Sequence, residues 1–194
     1  MSNTQFKKLL TSVRACTLCA KELEHGVRPV LQASSSARIL IAGQAPGSKV
    51  HQSGVPFDDA SGDRLREWMG IDKGVFYDEG QIAILPMGFC YPGKGRSGDL
   101  PPKPICAKTW RDELITALPN ISLTLVIGQY AQAWHLPYRQ KALTDTVRDW
   151  ANYDDGLMPL PHPSPRNNIW LKRNEWFERE VVPELKLRVA SAID

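Results

Sequence analysis

The amino-acid sequence predicts an α/β fold: a three-layer sandwich with a central four-stranded, mostly parallel sheet. Two observations lead to this prediction. Four short apolar runs are each followed by a segment with helical spacing of apolar residues, an order that favours parallel strands joined by helices. The chain has 194 residues and no internal repeat or low-complexity tract, which indicates one domain over residues 1–194.

The first half of the chain contains the first two predicted strands. Apolar residues recur at helical spacing over 4–14, which predicts an opening helix. Residues 38–42 are a short apolar run that ends in a glycine, as a buried strand does before a loop. A helix is expected over 61–69 with Ser61 as its N-cap, and 81–85 is the second strand.

The second half contains the other two strands. We expect a Pro- and Gly-rich loop over 92–104 and a helix over 105–118. The third strand is expected over 123–128, followed by a helix over 129–135. The fourth strand is expected over 157–160 and the closing helix over 173–192. Pro183 is expected to kink the closing helix. Ligands bind beyond the carboxyl ends of parallel strands. The loops after Ala42, Leu85, Gly128 and Leu160 should therefore meet at one site.

Composition excludes several classes of protein. No apolar run approaches the roughly 18 residues of a membrane span, so we expect no membrane partner. The start of the chain is polar and has no secretory signal, which favours the cytoplasm. The 24 Lys and Arg against 21 Asp and Glu give a net charge of +3, which neither requires nor excludes nucleic acid. In a reducing compartment, the four cysteines indicate a metal or cluster before they indicate disulfides.

Three loops carry residues suited to a site. The first follows the first strand and reads Gly43-Gln44-Ala45-Pro46-Gly47, where two glycines let a backbone approach a ligand closely. The second carries Phe57 beside the carboxylates Asp58 and Asp59. The alternative interpretations are a tight connection for the first loop, and for the second a core anchor with helix-capping acids.

The third loop follows the last strand and contains three prolines among five residues. These prolines, at 161, 163 and 165, hold His162 and Ser164 in a stiff extended segment. Arg166, Lys172 and Arg173 then add positive charge without an intervening acid. A second basic segment, residues 91–108, has four basic residues and one acid and suits phosphate contact, or is an ordinary solvated loop.

In order and spacing, these loops resemble the uracil-DNA glycosylase superfamily. The resemblance is carried by Gly43-Gln-Ala-Pro-Gly47, Gly54-Val-Pro-Phe57 and His162-Pro-Ser-Pro-Arg-Asn167, and it spans residues 4–190. The last two motifs are similar to the single-strand-selective monofunctional enzymes. Asp59-Ala-Ser-Gly-Asp63 is similar to a segment of the thermophile type-B enzymes, which makes Asp59 a catalytic candidate.

The resemblance implies a monofunctional DNA glycosylase acting in base excision repair, with damaged DNA as its partner and a monomeric state. Phe57 would stack on a flipped base, and His162 would hydrogen-bond the pyrimidine O2 as negative charge grows there. The backbone of Gly43, Gln44, Ala45, Pro46 and Gly47 would line the pocket. Ser164 belongs to the same substrate-binding set, and Arg166 and Asn167 would enter the helix or grip the strand.

Two positions depart from the family pattern. Many relatives carry Asp or Asn at the place of Ala45 to activate water, whereas Gln44 can orient a water but cannot accept its proton. Asp59 is therefore the expected carboxylate, with Asp58 second. Relatives also carry a uracil-reading Asn at the place of Pro86, which has no N–H. Either the base specificity has changed, or a substitute reads the base: Asn168, Gln129 or the Gly88 amide.

The four cysteines form two pairs. Two residues separate Cys16 from Cys19, and fifteen separate Cys90 from Cys106. This spacing resembles the thermostable iron–sulfur uracil-DNA glycosylases, which implies a [4Fe-4S] cluster joining the opening helix to the loop 91–104. Thiolates suit zinc equally well, so zinc is the alternative.

Two rival functions remain at this point. A nucleic-acid-binding member of the superfamily with lost activity or altered base specificity would explain Ala45, Gln44 and Pro86. A small-molecule nucleoside hydrolase would act on free nucleosides in place of oligonucleotides.

Overall fold

Four parallel strands form the central sheet in this computed structural model, which describes residues 1–96, 98–154 and 156–194. The strands are β1 (Ile39–Ala42), β2 (Ile82–Ile84), β3 (Leu123–Ile127) and β4 (Leu157–Leu160), in the spatial order β2-β1-β3-β4. In register, Ile41 of β1 lies opposite Ile84 and Leu125. The predicted α/β class is confirmed, and every strand pair is parallel.

Helices connect and flank these strands. In the described residues they are α1 (Asn3–Arg14), α2 (Ser48–Ser53), α3 (Ala60–Met69), α4 (Lys73–Phe76), α5 (Pro104–Thr116), α6 (Gly128–His135), α7 (Leu143–Arg148), α8 (Asn168–Arg173) and α9 (Val182–Ile193). A π-helical turn, Phe177–Val181, precedes α9, and short 3-10 turns cover Ala20–Glu22, Trp150–Asn152 and Pro165–Asn167. In the described residues, no helix is both long and apolar enough to cross a membrane.

The two faces of the sheet are covered by different helices. On β1, Ile39 and Ile41 are buried in a cluster with side chains of α3 and α9. Leu40 faces the other way and is buried with side chains of α1 and α5. Side chains alternate along a strand, so β2 likewise contributes to both clusters, whereas Val126 of β3 is buried in a third cluster with Ala131 of α6. The sheet is therefore covered on both faces and forms the middle of three layers.

The N-terminus of α3 differs from the prediction. The N-cap is Asp59 and not Ser61, since the helix begins at Ala60. The backbone of Asp59 is extended, and its Oδ1 accepts a hydrogen bond from the Gly62 N–H at 3.0 Å. A carboxylate at this position accepts a hydrogen bond from an N–H group that has no partner within the helix, and its negative charge interacts favourably with the helix dipole. Ser61 is buried in the first turn instead.

The predicted closing helix over 173–192 is also wrong in its first part. Arg173 ends the separate helix α8, and Asn174 leaves the helical conformation at φ −128° and ψ 55°. The chain then makes the π-helical turn before α9. This turn runs directly into α9, because Val181 and Val182 both have helical backbone angles. Pro183 follows the π-helical turn, and both features are recognised causes of a helix kink, so the kink stays a prediction.

The strand order places a crevice at the carboxyl end of β1. From β1 the chain passes to β2 on one side and then to β3 on the other. Connections that leave in opposite directions open a gap above the sheet at this switch point, where ligands bind in parallel α/β folds. The loop that begins at Gly43 lies at this gap.

Candidate functional site

A cavity of about 300 Å³ lies at the carboxyl ends of the strands. The loops after β1 and β4 line it, together with the end of β2 and the segment before α3. Ten of the eleven residues predicted for catalysis and substrate binding line this one cavity: Gly43, Gln44, Ala45, Pro46, Gly47, Phe57, Asp59, His162, Ser164 and Arg166.

The segment after β3 does not line the cavity, contrary to the expectation for Gly128. Helix α6 starts at Gly128 without an intervening loop, at a φ of +78° that a glycine adopts readily. The helix is held against β4, where the Gln132 side-chain amide donates to the Leu160 carbonyl at 3.2 Å. Gln129, one of the proposed base readers, therefore lies outside the cavity wall.

The Gly43–Gly47 loop is tied to the chain that follows β2. The carbonyl of Gly43 accepts from the Met87 N–H at 2.9 Å, and that of Gln44 accepts from the Gly88 N–H at 3.0 Å. The Gly88 amide is thus already engaged and does not face the cavity. The Gln44 side chain donates through Nε2 to the carbonyl of Leu100 at 3.3 Å, which leaves Oε1 as its acceptor.

Phe57 is held in an unusual backbone conformation at the cavity wall. Its φ is +54°, a region that non-glycine residues rarely adopt. A Cβ on Gly62 would overlap the Phe57 carbonyl oxygen, so the turn requires glycine there. The Phe57 ring packs edge-on against Phe76 at 6.1 Å between centroids and is half-buried. One side of the ring remains available to a ligand.

The two neighbouring carboxylates have different positions. Asp59 lines the cavity, with one oxygen accepting the Gly62 N–H. In the described residues, its Oδ2 receives no hydrogen bond. Asp58 is exposed and lies outside the cavity wall.

His162 has a defined tautomer when it is neutral. The Ser164 backbone N–H donates to its Nδ1 at 3.2 Å, so the ring proton is on Nε2. Burial lowers the pKa of His162, and the nearby carboxylates of Asp59 and Asp99 offset this only in part. The ring is therefore neutral at pH 7 and offers an Nε2–H donor to a ligand in the cavity.

The loop after β4, residues 161–167 (the His162 loop), is held in place by two side chains. One is Arg64 of α3, and the other is Asn167, at the end of the loop itself. Arg64 of α3 donates through Nη1 to the carbonyls of Pro163 (3.4 Å) and Ser164 (3.1 Å) and through Nη2 to Asn168 Oδ1 (2.8 Å). Asn167 donates through Nδ2 to the His162 carbonyl at 2.7 Å. Asn167 thus braces the loop and does not line the cavity, and Asn168 is engaged with Arg64.

Pro86 lines the cavity, has no N–H, and has a carbonyl that is already engaged. Arg111 of α5 is 1% exposed and donates through Nη1 to the carbonyls of Leu85 (2.9 Å) and Pro86 (3.1 Å). Its Nε and Nη2 both face His135 Nε2, at 2.8 and 2.6 Å. The segment after β2 therefore offers a bound base no N–H donor at Pro86.

Burial shifts the pKa values of both Arg111 and His135. Burial lowers the pKa of Arg111 to about 10, so it stays charged at neutral pH. Burial and the adjacent guanidinium lower the pKa of His135 to about 3, so it stays neutral and accepts. In the described residues, no carboxylate forms a salt bridge with Arg111.

The rim of the cavity carries both signs of charge. Arg166 lies against Gly98, with Nη1 2.9 Å from where a Cβ of Gly98 would be. Asp99, the next residue in the chain, lines the cavity. Within the basic segment 91–108, Lys94 is exposed, whereas Lys103 forms an ion pair with Glu22 at 2.8 Å. The predicted phosphate-binding charge is thus reduced by one internal ion pair.

A second, smaller cavity is lined by the four cysteines. Two of their sulfurs receive N–H groups: Cys16 Sγ from the Trp110 indole at 3.3 Å, and Cys106 Sγ from the Phe89 backbone at 3.4 Å. All four thiols are unpaired. Burial raises the pKa of Cys106 to about 12 and also raises the pKa of Cys19 and of Cys90.

Residues 1–96, 98–154 and 156–194 contain no group of three or more His, Cys, Asp or Glu side chains that could hold a metal ion. A single Zn²⁺ requires four ligands at about 2.0–2.3 Å, hence close together, whereas each thiolate of a [4Fe-4S] cluster binds a different iron.

Three residues at this site were missed by the sequence-based reasoning. Arg64, Asp99 and Arg111 act on elements distant in sequence, and nothing in their local patterns indicates those contacts. Asp99 carried one signal, since it is the only acid between residues 91 and 108.

The comparison with known families agrees with the site. The family model of the uracil DNA glycosylase superfamily matches residues 31–186, which is most of the chain. The match contains the Gly43–Gly47 loop, Phe57, Asp59 and the His162 loop, whereas Cys16 and Cys19 precede it. The sequence motifs, the parallel sheet and the cavity at its carboxyl ends therefore have one explanation: this chain belongs to the uracil-DNA glycosylase superfamily.

Proposed function

We propose that this chain is a monofunctional DNA glycosylase that hydrolyses the N-glycosidic bond of a deaminated base, uracil foremost, in DNA. Family membership supports a glycosylase-like function. The observation that carries the proposal is the neutral His162 ring, whose Nε2–H faces no partner in the described residues and shares a cavity with Phe57 and Asp59.

The reaction begins when the base leaves the helix. A flipped base fits a cavity of about 300 Å³ and stacks on the Phe57 ring. As the C1′–N bond breaks, its electron pair moves into the base, and negative charge develops on the carbonyl oxygen beside that bond. The His162 Nε2–H stabilises this charge by a hydrogen bond and does not need to transfer its proton.

Water completes the hydrolysis. Its oxygen bonds to C1′, and the carboxylate of Asp59 takes its proton. Gln44 Oε1 accepts from the same water and orients it. The negative charge of Asp59 also stabilises the positive charge that the sugar carries in the transition state.

Base selection rests on the loop after β1 and on His162. Pro86 gives that wall no N–H donor, and the carbonyls at the end of β2 are already engaged. A wall without such a donor discriminates weakly between bases of similar size. Hypoxanthine and xanthine are therefore the next expected substrates after uracil.

The cysteines are proposed to hold a [4Fe-4S] cluster. The spacing, the shared cavity and the N–H groups directed at two sulfurs support it, and zinc is the alternative. The cluster would cross-link the start of the chain to the segment that carries Cys90 and Cys106. A monomer in the reducing cytoplasm accords with four unpaired thiols.

An abasic-site assay tests the function. Oligonucleotides with one uracil, hypoxanthine or xanthine, single- and double-stranded, are incubated with protein and then cleaved with alkali. We expect His162→Ala to lower turnover by about 10²–10³. Asp59→Asn should cost more than Asp58→Asn, a matched change of a neighbouring carboxylate outside the cavity.

Three results would contradict the proposal. Tight DNA binding with no cleavage of any lesion would favour a non-catalytic member of the superfamily. Release of base from free nucleosides but not from oligonucleotides would favour a nucleoside hydrolase. For the cofactor, a colourless protein that contains zinc and no iron or sulfide would refute the cluster assignment.

A further inference from the structure

A carboxylate outside the family motifs lies in the wall of the reaction cavity. Asp99 belongs to a small hairpin, described over residues 93–96 and 98–100, between Cys90 and Cys106. In the hairpin, the backbones of Lys94 and Asp99 pair as an isolated antiparallel β-bridge. Backbone hydrogen bonds accompany it, such as the one that the Leu100 N–H donates to the Gly93 carbonyl at 2.9 Å. Asp99 lines the same cavity as His162 and Asp59.

Two contacts hold the hairpin against the Gly43–Gly47 loop. The Leu100 carbonyl accepts from Gln44 Nε2 at 3.3 Å. Asp99 Oδ2 lies close to Gly47 of the same loop, 3.5 Å from the position that a Cβ would occupy there. The hairpin residue next to Asp99 is therefore bonded to the Gly43–Gly47 loop, and Asp99 itself lies beside Gly47.

The charge of Asp99 is opposite to what DNA binding alone would favour. It is exposed and is the only acid in a segment with four basic residues. A carboxylate beside a phosphodiester backbone weakens binding, because it repels the phosphates that the neighbouring cations attract. A cation that forms transiently on the sugar gives such a carboxylate a favourable role.

Asp99 and Asp59 are both close enough to His162 for their charges to raise its pKa, against the larger effect of burial. The two carboxylates differ in the hydrogen bonds that they accept. Asp59 accepts the cap hydrogen bond of α3, whereas Asp99 accepts no side-chain or backbone hydrogen bond from the described residues. Asp99 is thus free to face the substrate.

We propose that Asp99 is a second catalytic carboxylate, which faces the sugar and stabilises the positive charge that develops there as the glycosidic bond breaks. This inference rests on the proposed glycosylase function and extends it. Asp99 takes no proton and forms no bond: its contribution is the negative charge alone. The charge therefore accelerates the reaction and at the same time reduces the affinity for intact DNA.

The test separates these two effects. Asp99→Asn keeps the size of the side chain and removes the charge. We expect the single-turnover rate on uracil DNA to fall about 10- to 100-fold, as for one unit charge a few ångströms from a developing cation at intermediate dielectric. Affinity for an oligonucleotide with a tetrahydrofuran abasic-site analogue should stay equal or increase, most clearly at low salt.

Two further variants control the experiment. Asp99→Glu keeps the charge and should recover most of the rate. Glu24→Gln removes another exposed carboxylate that, like Asp99, raises the pKa of Tyr91 but does not line the cavity, so its rate should equal that of wild type.

The outcomes are distinct. A wild-type protein without glycosylase activity refutes the proposed function. An active wild type with Asp99→Asn within twofold of its rate refutes this inference alone. Loss of both rate and affinity in Asp99→Asn, without recovery in Asp99→Glu, would assign Asp99 a purely structural part in the hairpin and would also overturn it.

Discussion

Arg64 is expected to control catalysis through the position of His162. Arg64 does not line the cavity, but it donates to two carbonyls of the His162 loop and to Asn168. Arg64→Met keeps much of the aliphatic length and removes all three hydrogen bonds. The prediction is a loss of turnover that arises only because the His162 ring is no longer held in place.

The size of the loss follows from the contacts. A hydrogen bond to a charged group contributes about 1.5–3 kcal/mol, and partial exposure of Arg64 places its bonds at the low end. The two carbonyl bonds together restrain the loop by about 2–3 kcal/mol. At about 1.4 kcal/mol per factor of ten, this corresponds to a 30- to 150-fold lower turnover, less than the loss expected for His162→Ala.

A double-mutant cycle with single-turnover uracil excision measures this coupling. Once His162 is alanine, the loop has no catalytic ring to position, so adding Arg64→Met should change the rate less than twofold. Arg64→Lys, which retains the charge and one donor direction, should lie between wild type and Arg64→Met. Arg38→Met, an exposed arginine at the opposite end of β1, should leave the rate unchanged.

Additive losses in the cycle would refute the reasoning, because they would show that Arg64 acts on the rate by a route independent of His162. So would an Arg64→Met protein that keeps the wild-type rate. Thermal unfolding of each variant accompanies the kinetics, so that a general loss of folded protein is recognised separately.

Three further predictions concern other parts of the site. Gly62→Ala should destabilise the protein by about 1–3 kcal/mol or more in urea unfolding, since its Cβ would overlap the Phe57 carbonyl; an unchanged midpoint would contradict this. His135, whose pKa falls from 6.5 to about 3 on folding, contributes stability that is complete above pH 6.5 and is lost as the pH falls toward 3, by roughly 4–5 kcal/mol in total. His135→Gln, which still offers Arg111 an acceptor, should flatten that acid limb of the stability curve, and a limb of unchanged slope would be evidence against the assignment. Pro86→Asn should raise the kcat/KM ratio of uracil to hypoxanthine at least tenfold by adding a polar group to an apolar wall, and a ratio equal to wild type would show that this wall does not read the base.

Strands and most helices could be predicted because the information is local. The run Ile39–Ala42 is apolar on both faces, and only a strand covered on both sides buries it completely. The errors occurred where tertiary contacts choose between similar local patterns. Asp59 and Ser61 are both good N-caps, and the choice follows from the turn at Phe57, whose carbonyl lies so close to Gly62 that only glycine fits there.

Site residues could be predicted where a loop is stiff and follows a strand directly. The prolines at 161, 163 and 165 fix the His162 loop beyond β4, so its place at the carboxyl edge follows from chain order. The role of Asn167 could not be predicted in this way. An asparagine next to a basic residue suits DNA contact equally well, and only the folded loop shows its amide bonded to the His162 carbonyl.

The sequence by itself determined the α/β class, the superfamily, and the loops that meet at the cavity, because each depends on periodicity or on motifs within a few residues. The tertiary structure decided which groups in those loops are free to react. Asp99 enters the cavity wall, Asp58 stays outside it, and the Pro86 carbonyl is taken by Arg111. Hydrogen bonds and charges act through space, so residues far apart in the chain determine which atoms a bound base can meet.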